Sequence, residues 1–225
     1  MLKKYDDLPN ILKNKETKKY YDILHKKRGY LFFKRMFDII LSTILLVILL
    51  PVFIILGIII KIDSKGPIFY RQERVTKYGK IFKIFKFRTM IVDADKGSLI
   101  TVNEDERITR IGKKIRNSRI DEIPQLINIL IGDMSFVGTR PEVKKYVDLY
   151  TNEMIATLLM PAGVTSRASI NYKDESEIIK KYVDKMSIDD IYVKKILPEK
   201  MKYNLEYIKK CSIIEDIKIC IKTIV

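Results

Sequence analysis

The chain holds 225 residues and carries 43 Lys and Arg against 28 Asp and Glu, a formal charge of +15. Two cysteines (Cys211, Cys220) and one histidine (His25) exclude a disulfide framework and argue against a zinc or iron centre; a catalytic metal would be held by oxygen, which points to magnesium. The positive balance suits anionic partners: nucleic acid, acidic lipid headgroups or phosphorylated substrates.

Residues 1–33 are lysine-rich and read as a loose or amphipathic basic lead-in along a membrane surface. Met36–Ile60, MFDIILSTILLVILLPVFIILGIII, follows, nearly all apolar, with Asp38 its one charge. At ~1.5 Å per residue it is ~37 Å long, enough for a hydrocarbon core of ~30 Å. Pro51 breaks this helix near Leu50, because proline has no N–H for the Val47 carbonyl and its ring crowds that turn. Neither fragment spans a bilayer alone. Seven Lys and Arg lie in residues 16–35 and six in residues 61–80. Basic flanks stay in the cytoplasm, so this near equality favours a helix that enters and returns over a kinked crossing, and both remain open on these residues. A cleaved leader is not expected, since the run is too long and starts too late.

Pro67–Val75 and Ile81–Thr89 are β-prone runs about a turn containing Gly79, a hairpin. Residues 93–106 read as a mobile loop and 108–116 as a basic helix. In Ser118–Glu142, apolar positions 123, 126, 127, 129, 130 and 131 predict a buried helix. Pro124 belongs in its first turn, Asp121 at or beside its N-cap, and Gly132 past its end. Further helices are expected over 142–159, 175–184, 187–196, 199–209 and 212–224, with a loop and short strand at 160–175. The last helix opens on a Ser212/Glu215 capping box and has an apolar face of Ile213, Ile214, Ile217, Cys220, Ile221 and Ile224. The fold class is α+β, mostly helical. It combines a re-entrant membrane helix broken at Pro51 (34–62) with a cytosolic domain (63–225) built of a β-hairpin and surface amphipathic helices.

A carboxylate at a helix start is stabilised by free N–H groups and the helix dipole. Asp121 and Glu122 are therefore either a plain cap and first-turn acid, or an aimed pair able to attack or hold a metal. Their neighbours favour chemistry. Arg140, in the turn Val137-Gly138-Thr139-Arg140-Pro141, is placed to fork onto a phosphate. Lys86 and Arg88 share a face of the second hairpin strand. Such cations beside an acid pair and a magnesium ion suit a nucleoside diphosphate. Asp38 is expected to pair with Lys34 or Arg35 at the membrane interface.

These blocks, KRMFD (Lys34–Asp38), GPIFYRQERVTKYGKIFKIFKFRTM, SRIDEIPQLINILIGDMSFVGTRP and, more weakly, DDIYVKKILPEK, resemble the bacterial sugar transferases, the small monotopic phosphoglycosyl transferases, from about Phe33 to Val225. The resemblance implies a re-entrant helix with both flanks cytoplasmic, on the cytosolic face of the inner membrane. It implies transfer of a phospho-sugar from a UDP-sugar to polyprenyl phosphate, with UMP released. It places the acid dyad on Asp121 and Glu122, Asp121 being the nucleophile and metal ligand, with magnesium as cofactor. Glu122 serves as a base or supports the metal. Membrane lipid is an expected partner, nucleic acid is not, and a homodimer is allowed. The chain departs from the family pattern at Thr139, where members often have proline, and at Met160, where many carry a cation. It departs again over 161–170, where a G-W-A-Q-V-N-G-R-like segment is common. The last change bears on the donor sugar.

Overall fold

The computed structural model describes residues 2–92, 94, 106–172 and 175–224. The expected loop 93–106 lies almost wholly outside them.

Short 3-10 turns at Tyr5–Asp7 and Asn10–Leu12 lead into helix α1 (Lys15–Lys26), whose first turn is closed by the Asn14 side chain accepting from Thr17 N–H at 2.7 Å. The tail is not loose. Leu2, Leu8, Leu12, Tyr20, Tyr21 and Leu24 are buried in the same core as Tyr146, Tyr150 and Ile155. The expected boundary at residue 33 falls inside helix α2 (Arg28–Ile48).

Helix α3 (Leu50–Asp63) follows after a 60° bend at Leu49, and no single helix is long and apolar enough to cross a membrane. Pro51 sits in the first turn of α3, where its missing N–H has no partner to lose. The two helices clasp the hairpin of β1 (Phe69–Val75) and β2 (Ile81–Phe87), antiparallel from Phe69↔Phe87 to Val75↔Ile81. Phe82 and Ile84 pack with Leu45, Leu46 and Leu49, and Phe87 packs with Ile60 and Phe53. The hairpin turn takes positive φ at Tyr78 (61°) and Gly79 (75°). By contrast, Ile44, Val47, Ile48, Leu50, Ile54, Ile55, Ile58 and Ile62 on the outer side of the bent pair are exposed.

Helix α4 (Arg110–Asn117) is capped by Thr109. Helix α5 (Gln125–Ile131) ends at Gly132, whose φ of 95° is the left-handed closure expected of a glycine there. Asn128 of α5 is fully buried and binds the β2 backbone: its Oδ1 accepts from Phe85 N–H at 2.8 Å and its Nδ2 donates to Lys83 O at 3.0 Å.

Strand β3 (Met134–Val137) pairs in parallel with β4 (Ala162–Thr165), a sheet the alternation in the sequence does not announce. It closes at Gly138 and Gly163: a Cβ on Gly163 would sit 2.1 Å from Gly138 N. The helix expected over 142–159 is replaced by one turn, α6 (Lys144–Val147), and a 3-10 run at Met154–Leu159. Thr151 separates them, its hydroxyl accepting from Met154 N–H at 3.3 Å and restarting the chain as a turn.

Short helices α7 (Arg167–Asn171) and α8 (Glu175–Tyr182) precede α9 (Ile188–Ile191), a π turn (Tyr192–Ile196) and α10 (Leu197–Lys210), which run on without a gap. The expected break at 197–198 is thus a bulge: the widened π turn accommodates Pro198, which has no N–H to give. Helix α11 (Ile213–Ile224) is capped by the Ser212 hydroxyl accepting from Glu215 N–H at 3.2 Å. The Glu215 carboxylate takes Arg167 at 2.5 Å. Ile213, Ile214, Ile217 and Ile221 of the α11 apolar face are exposed, while Ile219 is buried. Cys211 and Cys220 are free thiols.

Candidate active site

Between α4 and α5 the chain turns sharply. Arg119 adopts the left-handed region (φ 54°) and Ile120–Glu122 form a single 3-10 turn. Asp121 is therefore neither at the N-cap of α5, which is Pro124, nor beside it, where the spacing places it. Glu122, Ile123 and Pro124 intervene, and no side chain caps that helix. The sharp turn, more than a helix dipole, aims both carboxylates.

The pair divides its surroundings unequally. Glu122 Oε1 receives Lys86 Nζ at 2.7 Å, and Arg140 Nη2 lies 3.6 Å away. Burial pushes the Glu122 carboxyl up, but the Lys86 and Arg140 charges outweigh it and hold the group below the usual glutamate range. Asp121 has no ion pair and no side-chain hydrogen bond to another residue among the described residues; its own backbone N–H is the one donor on its carboxylate. Burial raises its pKa above the ordinary aspartate value; Lys86 and Arg116 oppose the rise and the Glu122 charge adds to it. One acid is thus locked and ionised, and its neighbour is a more basic carboxylate that no other residue's side chain engages.

A cleft of about 60 Å³ opens beside Glu122, lined among others by Arg74, Lys86, Glu122, Gln125, Arg140 and Gly163; Asp121, one residue before, is not among its lining residues. Lys86 stands near the end of β2 and Arg140 in the loop after β3, so hairpin, 3-10 turn and parallel strands meet here. Arg74 is a cation the sequence reading missed. Its guanidinium donates to Gln72 Oε1 at 2.5 Å and to Pro141 O at 3.3 Å, bracing the Arg140 turn. The signal was available: with Val75 opposite Ile81, Arg74 falls on the same hairpin face as Ile84 and Lys86.

Arg88 is not in this cleft. The strand stops at Phe87, the chain turns away, and Arg88 is only 5% exposed. Its guanidinium donates to Lys65 O, to Ser64 O at 2.7 Å and to Ile60 O at 3.5 Å, a cation closing the C-terminal end of α3. Asp38 also differs from expectation. It is 2% exposed and pairs with neither Lys34 nor Arg35; its Oδ1 accepts from Ser135 Oγ at 3.1 Å and Phe136 N–H at 3.2 Å. Lys34 reaches Asp216 at 2.8 Å, and Arg35 donates to Ile129 O and Leu130 O at 2.6 and 2.8 Å. All three therefore tie α2 to the domain that carries the cleft. Among the described residues no three His, Cys, Asp or Glu side chains converge.

Comparison with known proteins gives the site a setting. A Bacillus subtilis protein provisionally named undecaprenyl-phosphate N-acetylgalactosaminyl 1-phosphate transferase is 44% identical over 135 residues, 60% of this chain and 75% of its own. The UDP-glucose:undecaprenyl-phosphate glucose-1-phosphate transferase of Escherichia coli is 33% identical over 197 residues, 85% of this chain and 39% of its own. The UDP-N-acetylgalactosamine-undecaprenyl-phosphate N-acetylgalactosaminephosphotransferase of Aeromonas hydrophila is 34% identical over 200 residues, 87% of this chain and 43% of its own. The chain spans about two fifths of the length of these last two relatives. Residues 29–225, nearly the whole sequence, match the bacterial sugar transferase family, and the chain belongs to it.

Proposed function

We propose that this chain is a phosphoglycosyl transferase that moves a phospho-sugar from a UDP-sugar to polyprenyl (undecaprenyl) phosphate, by way of an acyl phosphate on Asp121. The observation that carries this reading is the inequality of the two acids: Glu122 is locked between Lys86 and Arg140, and Asp121 is half-buried with no ion-pair partner among the described residues.

The donor diphosphate sits against Lys86, Arg140 and Arg74, which neutralise the charge that an approaching carboxylate meets. An Asp121 oxygen attacks the sugar-bearing phosphorus, the P–O bond to the nucleoside phosphate breaks, and its electron pair leaves with UMP. An oxygen of the polyprenyl phosphate then attacks the same phosphorus; the acyl phosphate bond breaks and the carboxylate is restored. Two steps let a soluble donor and a lipid acceptor use one site in turn. The hard carboxylate oxygens of Asp121 suit a magnesium ion; Asp121 would hold it, and the ion would draw charge from the donor diphosphate. Glu122 acts as neither base nor metal ligand: its depressed pKa and engaged Oε1 make it the anchor that keeps Lys86 and Arg140 turned to the donor and off Asp121.

The bent pair α2–α3 is read as re-entrant. In support, both of its ends bind one body: Arg35 and Asp38 hold α2 to α5 and β3, and Arg88 holds the end of α3. A straight crossing would part those ends by a bilayer. The exposed isoleucines of α11 suit a helix lying at the same interface. This keeps the site on the cytosolic face, at the depth of the lipid phosphate.

The test is nucleotide release from a panel of UDP-sugars with a short polyprenyl phosphate and magnesium. Release of UMP in step with lipid product is expected; UDP in its place, or duplex DNA binding without turnover, contradicts the reading. The environment of Asp121 adds a pH signature. Catalysis needs the ionised form, so activity falls on acidification, at a pH above that of an ordinary aspartate. Lys86→Met removes a charge that lowers this pKa, and the acid limb of kcat/KM moves to higher pH. Glu122→Gln removes a charge that raises it and frees Lys86, and the limb moves to lower pH. Shifts in the same direction would refute the assignment.

A further inference from the structure

The basic helix α4 lies outside the chemistry above, yet its place in the fold is specific. Its buried face, Gly112 and Ile115, packs on the end of α3 beside Ile60 and Phe87. Gly112 meets Thr89 O so closely that a Cβ would lie 2.1 Å from it, and Ile111 N–H donates to Asp63 Oδ2 at 3.3 Å. The helix is thereby fixed at the point where the chain leaves the bent apolar pair. Arg110, Lys113 and Lys114 face outward, and Lys61 and Lys65 at the end of α3 are exposed as well.

Two observations say what this face meets. The first is charge without compensation. Residues 107–119 contain no acid, and none of these five cations has a carboxylate partner among the described residues. Several lysines elsewhere on the surface are matched: Lys144 with Asp148, Lys194 with Asp190, Lys202 with Glu199, Lys210 with Glu206. The second is the company they keep. Ile62 is 81% exposed, and Ile91 and Val92 are each 52% exposed, just before α4 and across the bridge from Met90 to Ile108. Bare isoleucine and valine next to uncompensated lysine is the chemistry of a surface that faces acyl chain and headgroup together. A nucleic-acid face would call for stacking aromatics, and residues 106–119 contain none.

We infer that Arg110, Lys113 and Lys114 of α4, with Lys61 and Lys65, form a docking surface for anionic phospholipid headgroups, set against the bilayer by Ile62, Ile91 and Val92. The inference rests on the membrane reading of α2–α3 and adds to it a lipid preference. Insertion of the apolar pair needs no anionic lipid; the α4 face selects for it.

The experiment is flotation of the full chain, purified in detergent, with vesicles of phosphatidylcholine alone or mixed with phosphatidylglycerol. A preference for the mixed vesicles is expected, lost at high salt. In Lys113→Gln/Lys114→Gln that preference falls by about fivefold for each charge removed. In Lys194→Gln/Lys202→Gln, a matched loss of charge elsewhere, it stays. Thermal melting followed by circular dichroism establishes that both variants fold. Equal losses in the two variants, no loss in the first, or displacement by inorganic phosphate at unchanged ionic strength would each overturn the assignment. So would duplex DNA binding that depends on Lys113 and Lys114 while the vesicle preference does not. A chain that floats with both vesicles equally leaves the membrane reading standing and removes this one; a chain that floats with neither contradicts the membrane reading itself.

Discussion

Asp121→Asn is expected to lower UMP formation by roughly 10³-fold or more, the scale on which removing a covalent nucleophile acts. Asparagine keeps the shape of the side chain and loses its nucleophilic oxygen. The same substitution should leave the fold intact. Asp121 has no ion pair to break, and burial already opposes its charge, so the neutral side chain is held at least as well. The melting temperature of the variant is therefore expected to match or exceed that of the parent. Loss of activity with gain of stability is the mark of a group kept for its chemistry. A variant that loses both in proportion would place Asp121 among the structural acids.

Lys34→Met is expected to show the reverse, a large loss of stability, about 3 kcal/mol, with the reacting groups untouched. Lys34 is 6% exposed and its partner Asp216 is 14% exposed. The Asp216 carboxylate also accepts from Tyr30 at 2.8 Å and Tyr207 at 2.6 Å, so α2, α10 and α11 converge on one buried anion. Without the cation that charge is left with two phenols. Lys34→Met/Asp216→Asn should recover most of the loss, since a buried pair removed together leaves no orphan. Thermal unfolding of the four proteins in one detergent measures this. Additive losses would mean that the two groups do not interact.

The legibility of the sequence followed the range of the interactions. Local signals carried. Pro51 places the break near Leu50, one residue from the observed bend at Leu49. Gly79 marked the hairpin turn and Gly132 the end of α5. The turn at Arg140 lies where glycine, proline and charge crowd together, and the fold brings Lys86, Glu122 and Arg140 to one cleft; the 3-10 turn at Asp121 is not announced by its spacing. Partnership over distance did not carry. Asp38 looked towards Lys34 and Arg35 in sequence, yet its partner Ser135 is 97 residues away. Arg88 shares parity with Lys86, but the strand ended between them. The pairing of β3 with β4 depends on two glycines, Gly138 and Gly163, that are far apart in the chain. For the N-terminal tail the sequence leaves loose and amphipathic open, because its lysines mask the helical spacing of Thr17, Tyr20, Tyr21 and Leu24, and α1 is the amphipathic one, its apolar face on the protein core.

The central claim is a phospho-sugar held on one aspartate, and mass spectrometry of the full chain incubated with its UDP-sugar and magnesium, without polyprenyl phosphate, tests it most directly. The account predicts a mass gain of one sugar phosphate, located on the peptide that contains Asp121 and discharged when polyprenyl phosphate is added. Steady UMP formation that requires both substrates together, with no adduct at any time or with the adduct on another residue, would contradict it.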